Sequence, residues 1–93
     1  MAIRTFKHKG LEKFFESGNK SGIQPALSAK IERVLDRLDG AADVKDMNFP
    51  GSNFHPLKGN LREFFSVHIN GNWVVIFRFD NNEAFDVDLI DYH

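Results

Sequence analysis

Histidine is the side chain whose ordinary titration lies nearest neutrality, so His8, His55, His68 and His93 are the first candidates for moving a proton. Two of them stand in informative settings. His55 lies in Phe54-His55-Pro56-Leu57-Lys58-Gly59, where Pro56 keeps the preceding residue out of the helical region and Gly59 ends the excursion. One ordered, non-regular segment therefore presents an imidazole and an ammonium three residues apart. His93 closes the sequence directly behind Asp91 and Tyr92. The chain has no cysteine, which removes thiol nucleophiles, disulfides and zinc ribbons together. It contains no glycine-rich phosphate loop and no nucleophile elbow, and no metal-ligand spacing joins His55, Asp91 and His93. Read from the residues alone, the function stops at a small soluble α+β domain with an acid–base pair.

The elements that must hold these groups change period halfway along the chain. Ile3 to Phe6 alternates as a short opening strand, and Leu11, Phe14 and Phe15 then fall on one helical face that Gly18 closes. Pro25 suits a first helical position, and Leu27, Ile31, Val34, Leu35 and Leu38 form the clearest amphipathic helix, ended by Gly40. Residues 41–47 can add a helical turn before a loop over 48–53. From Glu63 to Asn70 the period becomes two, with Phe65, Val67 and Ile69 on one face and Phe64, Ser66 and His68 on the other. Asn70-Gly71 signals a hairpin into a second strand, Trp73 to Phe79, whose apolar residues on both faces make it central. Asp80-Asn81-Asn82 connects to a third strand, Ala84 to Ile90, with Phe85, Val87 and Leu89 predicted on one face and Asp86 and Asp88 on the other. The expected architecture is α+β: an N-terminal strand and two helices packed on a small, twisted, mainly antiparallel sheet of three or four strands.

At 93 residues the chain is one domain, 1–93, too short for two cores. It is 42% hydrophobic with ten phenylalanines, so a core can form without staples, and 27% charged, an ordinary balance for a globular domain that argues against intrinsic disorder. No stretch is apolar for long enough to cross a bilayer, and the start lacks a signal-peptide core, so a cytoplasmic location is expected. Twelve basic residues against thirteen acidic ones argue against holding free nucleic acid by charge alone. That near balance conceals a segregation: residues 1–13 carry +3, residues 51–62 carry +2, and residues 80–93 carry −5.

Four segments appear in an order that resembles one family: Phe6-Lys7-His8-Lys9-Gly10-Leu11, His55-Pro56-Leu57-Lys58-Gly59, Asn70-Gly71-Asn72-Trp73 and Asp91-Tyr92-His93. They are similar to the HigB-type toxins, the plasmid-maintenance killer branch of the RelE/ParE superfamily, over essentially the whole chain. The resemblance implies a RelE-like fold and a toxin of a type II toxin–antitoxin system. Its activity would be ribosome-dependent cleavage of messenger RNA, needing no metal or cofactor. The implied partners are a HigA-like helix-turn-helix antitoxin, the 70S ribosome and message in its A site, with operator DNA reached only through the antitoxin and no membrane. Carried over by residue, the catalytic set is His55, Asp91, Tyr92 and His93. Lys58, Arg62, His68 and Arg78 are the candidates for RNA and phosphate contacts.

In such a reaction a base takes the ribose 2′-hydroxyl proton, the oxygen attacks phosphorus, and an acid protonates the departing 5′-oxygen. Asp91 would orient an imidazole, and Tyr92 would stack on a base or bond the phosphate. The family commonly carries arginines two residues after the second-strand serine and directly after the hairpin tryptophan; here those positions are His68 and Val74. Losing two fixed charges removes on the order of 2–4 kcal/mol of transition-state stabilisation, so a weaker or differently selective nuclease is expected. Two other readings stay open at this point: a noncatalytic module that only binds antitoxin, and a ParE-like poison of DNA gyrase.

Overall fold

The computed structural model describes residues 2–92. Helix α1 (Lys9–Ser17) starts where the His8 imidazole caps it, Nδ1 accepting from the Leu11 N–H at 3.1 Å. It ends at Gly18, whose φ of 76° lets its own N–H turn back to the Phe14 carbonyl. The following loop folds onto the first turn of α1 so closely that a Cβ on Gly22 would stand 2.6 Å from the Gly10 Cα. Pro25–Leu27 forms a single 3₁₀ turn that feeds α2 (Ser28–Asp39). The predicted stripe of α2 is buried throughout: Leu27, Ile31, Val34, Leu35 and Leu38 all face the core.

The sheet has four antiparallel strands in the order β1 (His55–Pro56), β2 (Phe65–Asn70), β3 (Trp73–Asp80) and β4 (Glu83–Asp91). The β2–β3 hairpin turns on Gly71-Asn72, one residue later than the Asn70-Gly71 signal, because a register shift between His68 and Asn70 pairs Asn70 with Trp73. Asn81 and Asn82, at φ of 51° and 63°, make the β3–β4 turn, which needs positive φ at both positions.

Two expectations are corrected. The opening strand is no ladder: Ile3 and Phe6 make isolated parallel bridges to Ala84 and Val87 of β4. Between those bridges Asp86 adopts a φ of 54°, giving its N–H to the Thr5 hydroxyl at 2.8 Å, so regular pairing is interrupted. The same bulge breaks the alternation of β4. Ala84, not Phe85, joins Val87 and Leu89 in the helix-facing core, and Phe85 is turned outward. The N-terminus is also tied to α2, since Asp39 accepts from the Ala2 N–H through its carbonyl and from the Ile3 N–H through its carboxylate.

Two apolar clusters result. The main core joins both helices to Val67, Ile69, Val75, Phe77, Ala84, Val87 and Leu89 on one sheet face. The opposite face carries a smaller one, Leu57, Val74 and Ile76, packed with Leu61, Phe64 and Ile90. The segment between β1 and β2, including a 3₁₀ turn at Gly59–Leu61, folds back over this face and closes it with the Leu57 N–H bond to the Phe64 carbonyl. β3 is thus covered on both sides, as its composition predicts. Among the described residues no helix is long and apolar enough to cross a membrane.

Candidate active site

The candidate site lies on the sheet face that turns away from the helices. His55 was expected in an irregular loop; it begins the edge strand β1. Pro56 accounts for this, since it forces its predecessor to be extended and is tolerated on an edge. Asn53, at a φ of 46°, turns the chain into that strand and places its carbonyl 2.9 Å from His55 Nδ1. A carbonyl only accepts, so Nδ1 carries the hydrogen, and in the neutral ring Nε2 is the accepting nitrogen. Ser66 Oγ stands 3.3 Å from that Nε2, in the residue paired directly with His55 across the ladder. Ser66 is buried, so the imidazole is held between a backbone carbonyl and a hydroxyl that packing fixes. The preceding loop is anchored in turn: the Ser52 carbonyl accepts from the His68 N–H at 2.7 Å, and Ser52 Oγ accepts from the Phe49 N–H.

His68 sits two residues beyond Ser66, on the same face as His55 and Ser66, and is paired with Val74 as alternation predicts. Its Nε2 lies 3.0 Å from the Gly71 carbonyl, which makes Nε2 the donor and clamps the ring against its own hairpin. Val74 is no opening on this face. At 8% exposure it belongs to the outer apolar cluster with Leu57 and Ile76, so valine there serves packing.

The cations are less concentrated than the sequence suggests. Lys58 and Arg62 flank the 3₁₀ turn at Gly59–Leu61, both exposed, with Lys58 three residues from His55. Arg62 lines a surface cavity of about 340 Å³ together with Arg78, but Glu63 and Asp80 share it. Arg78 is engaged by Asp86, Nε to Oδ2 at 3.0 Å, with its guanidinium 5.7 Å from the Phe85 ring centre. Arg4 pairs with Glu83 in the same way, so part of the acidic C-terminal charge is matched within the chain.

Asp91 ends β4 opposite Trp73. Tyr92 follows, 46% exposed, with its N–H donated to the Asn72 carbonyl at 2.7 Å. His93 lies outside the described residues, and with it the expected meeting of His55 and His93. Ladder register still separates the two halves of the site. One row across the sheet reads His55, Ser66, Ile76, Asp88; the next row on that face reads His68, Val74, Ile90. Strands are spaced about 4.8 Å apart and rise about 3.3 Å per residue, which puts Tyr92 roughly 20 Å from His55 over the sheet. His68 is only a diagonal neighbour of His55, at about 7–8 Å between backbones. The structure therefore groups His55, Ser66 and His68 on one face, and places Asp91 and Tyr92 on and just beyond β4, at the opposite side of the sheet. Ser66 and the Asn53 carbonyl were missed in the sequence, because a strand serine gains meaning only from the residue paired with it.

Comparison with known proteins agrees with this architecture. A family model described as the RelE-like toxin of type II toxin–antitoxin system HigB matches residues 4–93. The chain is 38% identical over 94 residues to a Proteus vulgaris protein named endoribonuclease HigB, covering 98% of this chain and 99% of that one. It is 31% identical over 86 residues to toxin HigB-1 of Vibrio cholerae serotype O1, covering 90% of each. An α+β chain with two helices on a four-stranded antiparallel sheet, matched over nearly its full length, belongs to the HigB-like family of RelE-like toxins of type II toxin–antitoxin systems.

Proposed function

We propose that this chain is an endoribonuclease that cuts messenger RNA on the ribosome, in the cytoplasm, and is restrained by a HigA-like helix-turn-helix antitoxin. The observation that carries the reading is the orientation of His55. An imidazole whose Nδ1–H is held by the Asn53 carbonyl, with Nε2 beside the Ser66 hydroxyl, presents Nε2 as the base from an exposed edge strand. In the proposed reaction Nε2 takes the proton of a ribose 2′-hydroxyl. The freed oxygen forms a bond to the adjacent phosphorus, and the bond from phosphorus to the 5′-oxygen breaks, leaving a 2′,3′-cyclic phosphate. Lys58 and Arg62 supply positive charge to the phosphate from the segment that follows β1. Asp91 and Tyr92 meet the RNA from the end of β4, Tyr92 by stacking its exposed ring on a base, and His93 is the candidate for the second proton transfer.

The near balance of charge supports dependence on the ribosome, which presents the message at high effective concentration in place of intrinsic affinity. A second reading is favoured by the burial of Val74 and the pairing of Arg78 with Asp86, which leave few cations on the face: a module that binds antitoxin without cutting RNA. Controlled expression of the chain, of His55→Ala and of a version lacking Tyr92 and His93 separates the two. Growth arrest with new message 5′ ends, lost in both variants, is the expected result. Arrest without new ends rejects the nuclease, no arrest favours the module, and equal cutting of purified RNA with and without ribosomes rejects the dependence.

A further inference from the structure

We propose that the basic flank of α2, together with the loop that leads into β1, is a second RNA-binding surface that grips the phosphodiester backbone of ribosomal RNA. The inference rests on the ribosome dependence proposed above and adds the surface that holds the chain there. Lys30, Arg33 and Arg37 line one cavity of about 310 Å³ with Val34, Phe49 and Pro50, and no carboxylate shares it. At about 3.6 residues per turn the three cations fall within one narrow arc beside the buried stripe of α2. Glu32 and Asp36 stand on the other flank, where they line a separate small cavity with Phe14, Phe15 and Leu35. Among the described residues none of the three cations forms an ion pair; the pairs join Arg4 to Glu83 and Arg78 to Asp86.

Like charges three and four residues apart repel on a helix surface, so this grouping works against α2 unless an anion lies across it. Neighbours at those spacings stand about 5–6 Å apart, which suits successive phosphates along one strand. Both arginines bring a planar fork that meets phosphate oxygens two at a time, as an ammonium does not. Arg37 is already held in place, its guanidinium 4.5 Å from the centre of the Phe49 ring. Phe49 is fixed in turn by Ser52, whose N–H goes to the Phe49 carbonyl and whose Oγ accepts from the Phe49 N–H. The cavity beside Arg62 and Arg78 differs: Glu63 and Asp80 line the same space, and Asp86 holds Arg78. Since α2 packs on the sheet face away from His55, RNA gripped here is a segment other than the linkage at that imidazole. A chain of nearly balanced charge thus groups unopposed cations for a large phosphate-covered partner, and stays on it while the His55 face meets the message.

The test measures binding of the full chain to purified 70S ribosomes without message, over a range of salt, beside cleavage on programmed ribosomes. Lys30→Gln/Arg33→Gln/Arg37→Gln is expected to bind about 10-fold more weakly or worse at low salt. Its plot of log affinity against log salt should flatten by about 2–3 units, as three lost phosphate contacts require. In cleavage the same variant should raise the KM for programmed ribosomes about 10-fold and leave kcat within about two-fold, since His55 is untouched. Arg33→Gln alone, at an exposed position, should change the salt slope by about 1 and serves if the triple variant unfolds. Unchanged affinity and slope in these variants overturn the proposal. So does displacement of the parent from ribosomes by poly-glutamate as readily as by an RNA hairpin of equal charge, which would make an acidic protein surface the occupant. A loss of kcat with KM unchanged overturns it too, because α2 would then act on the site through the fold. A parent that binds ribosomes through α2 but cuts no message sinks the nuclease reading and supports this surface.

Discussion

The two faces of the sheet are built from the same strands and do opposite work. Toward the helices, Val67, Ile69, Val75, Phe77, Val87 and Leu89 form a continuous apolar surface buried against α1 and α2. Away from them, a small apolar cluster under the 57–64 segment shares the surface with His55, Ser66 and His68. Burial on the first face is nearly complete, so it carries stability through transfer free energy of about 25 cal/mol per Å². The second face is covered only where the segment after β1 folds back, which leaves its histidines in reach of a substrate. A period-two strand lets one sequence serve both purposes because adjacent residues never share a face. The lesson is that Val74, one step from His68 across the ladder, belongs functionally to packing although it lies on the chemical face.

Substitutions sharpen that contrast. Phe77→Ala, at the fully buried centre of the helix-facing core, is expected to cost about 3–5 kcal/mol of stability in chemical denaturation. Cleavage per folded molecule should hardly change, and a loss below 1 kcal/mol would contradict the core assigned here. His55→Ala is the converse. Message cleavage should fall about 100-fold or more, near 3 kcal/mol in barrier, while the unfolding midpoint stays almost constant. Leu57→Ala breaks the separation, because Leu57 is buried in the outer cluster one residue beyond β1. We expect about 2–3 kcal/mol of destabilisation together with slower cleavage, and unaltered cleavage would show that the cluster does not position His55.

Smaller effects test the periphery. Gly22→Ala pushes a methyl group to 2.6 Å from the Gly10 Cα, which backbone movement must relieve at a cost of about 1–3 kcal/mol. A neutral result in thermal unfolding would mean that the loop after α1 is less closely held than described. Asp86→Asn weakens the exposed pair with Arg78 and should change stability by about 0.5 kcal/mol or less. By freeing Arg78 it should raise affinity for RNA if that cation reaches the substrate, which filter binding to a short oligonucleotide would register.

Much of this was legible in the chain, for reasons that differ between elements. The stripe from Leu27 to Leu38 repeats at helical spacing, so α2 and its buried face could be read directly. The two asparagines at 81 and 82 tolerate positive φ, so their turn could be read as well. Phe85 was misplaced because the bulge at Asp86 depends on the N-terminal segment lying beside β4, a partner 81 residues away in sequence. His55 was singled out correctly as an ordered imidazole, but its place in a strand depends on Ser66, eleven residues further on.

Local order in the sequence settled which residues are extended, which are helical and which side chains can exchange a proton, because propensity and periodicity act within a few residues. Tertiary pairing alone decided which of those groups meet. Register between successive strands set His68 diagonally from His55, buried Val74 and put Tyr92 at the end of the far strand. Hydrogen bonds from ring nitrogens to particular carbonyls then chose which nitrogen of each imidazole carries the bonded hydrogen, and no spacing along the chain encodes that choice.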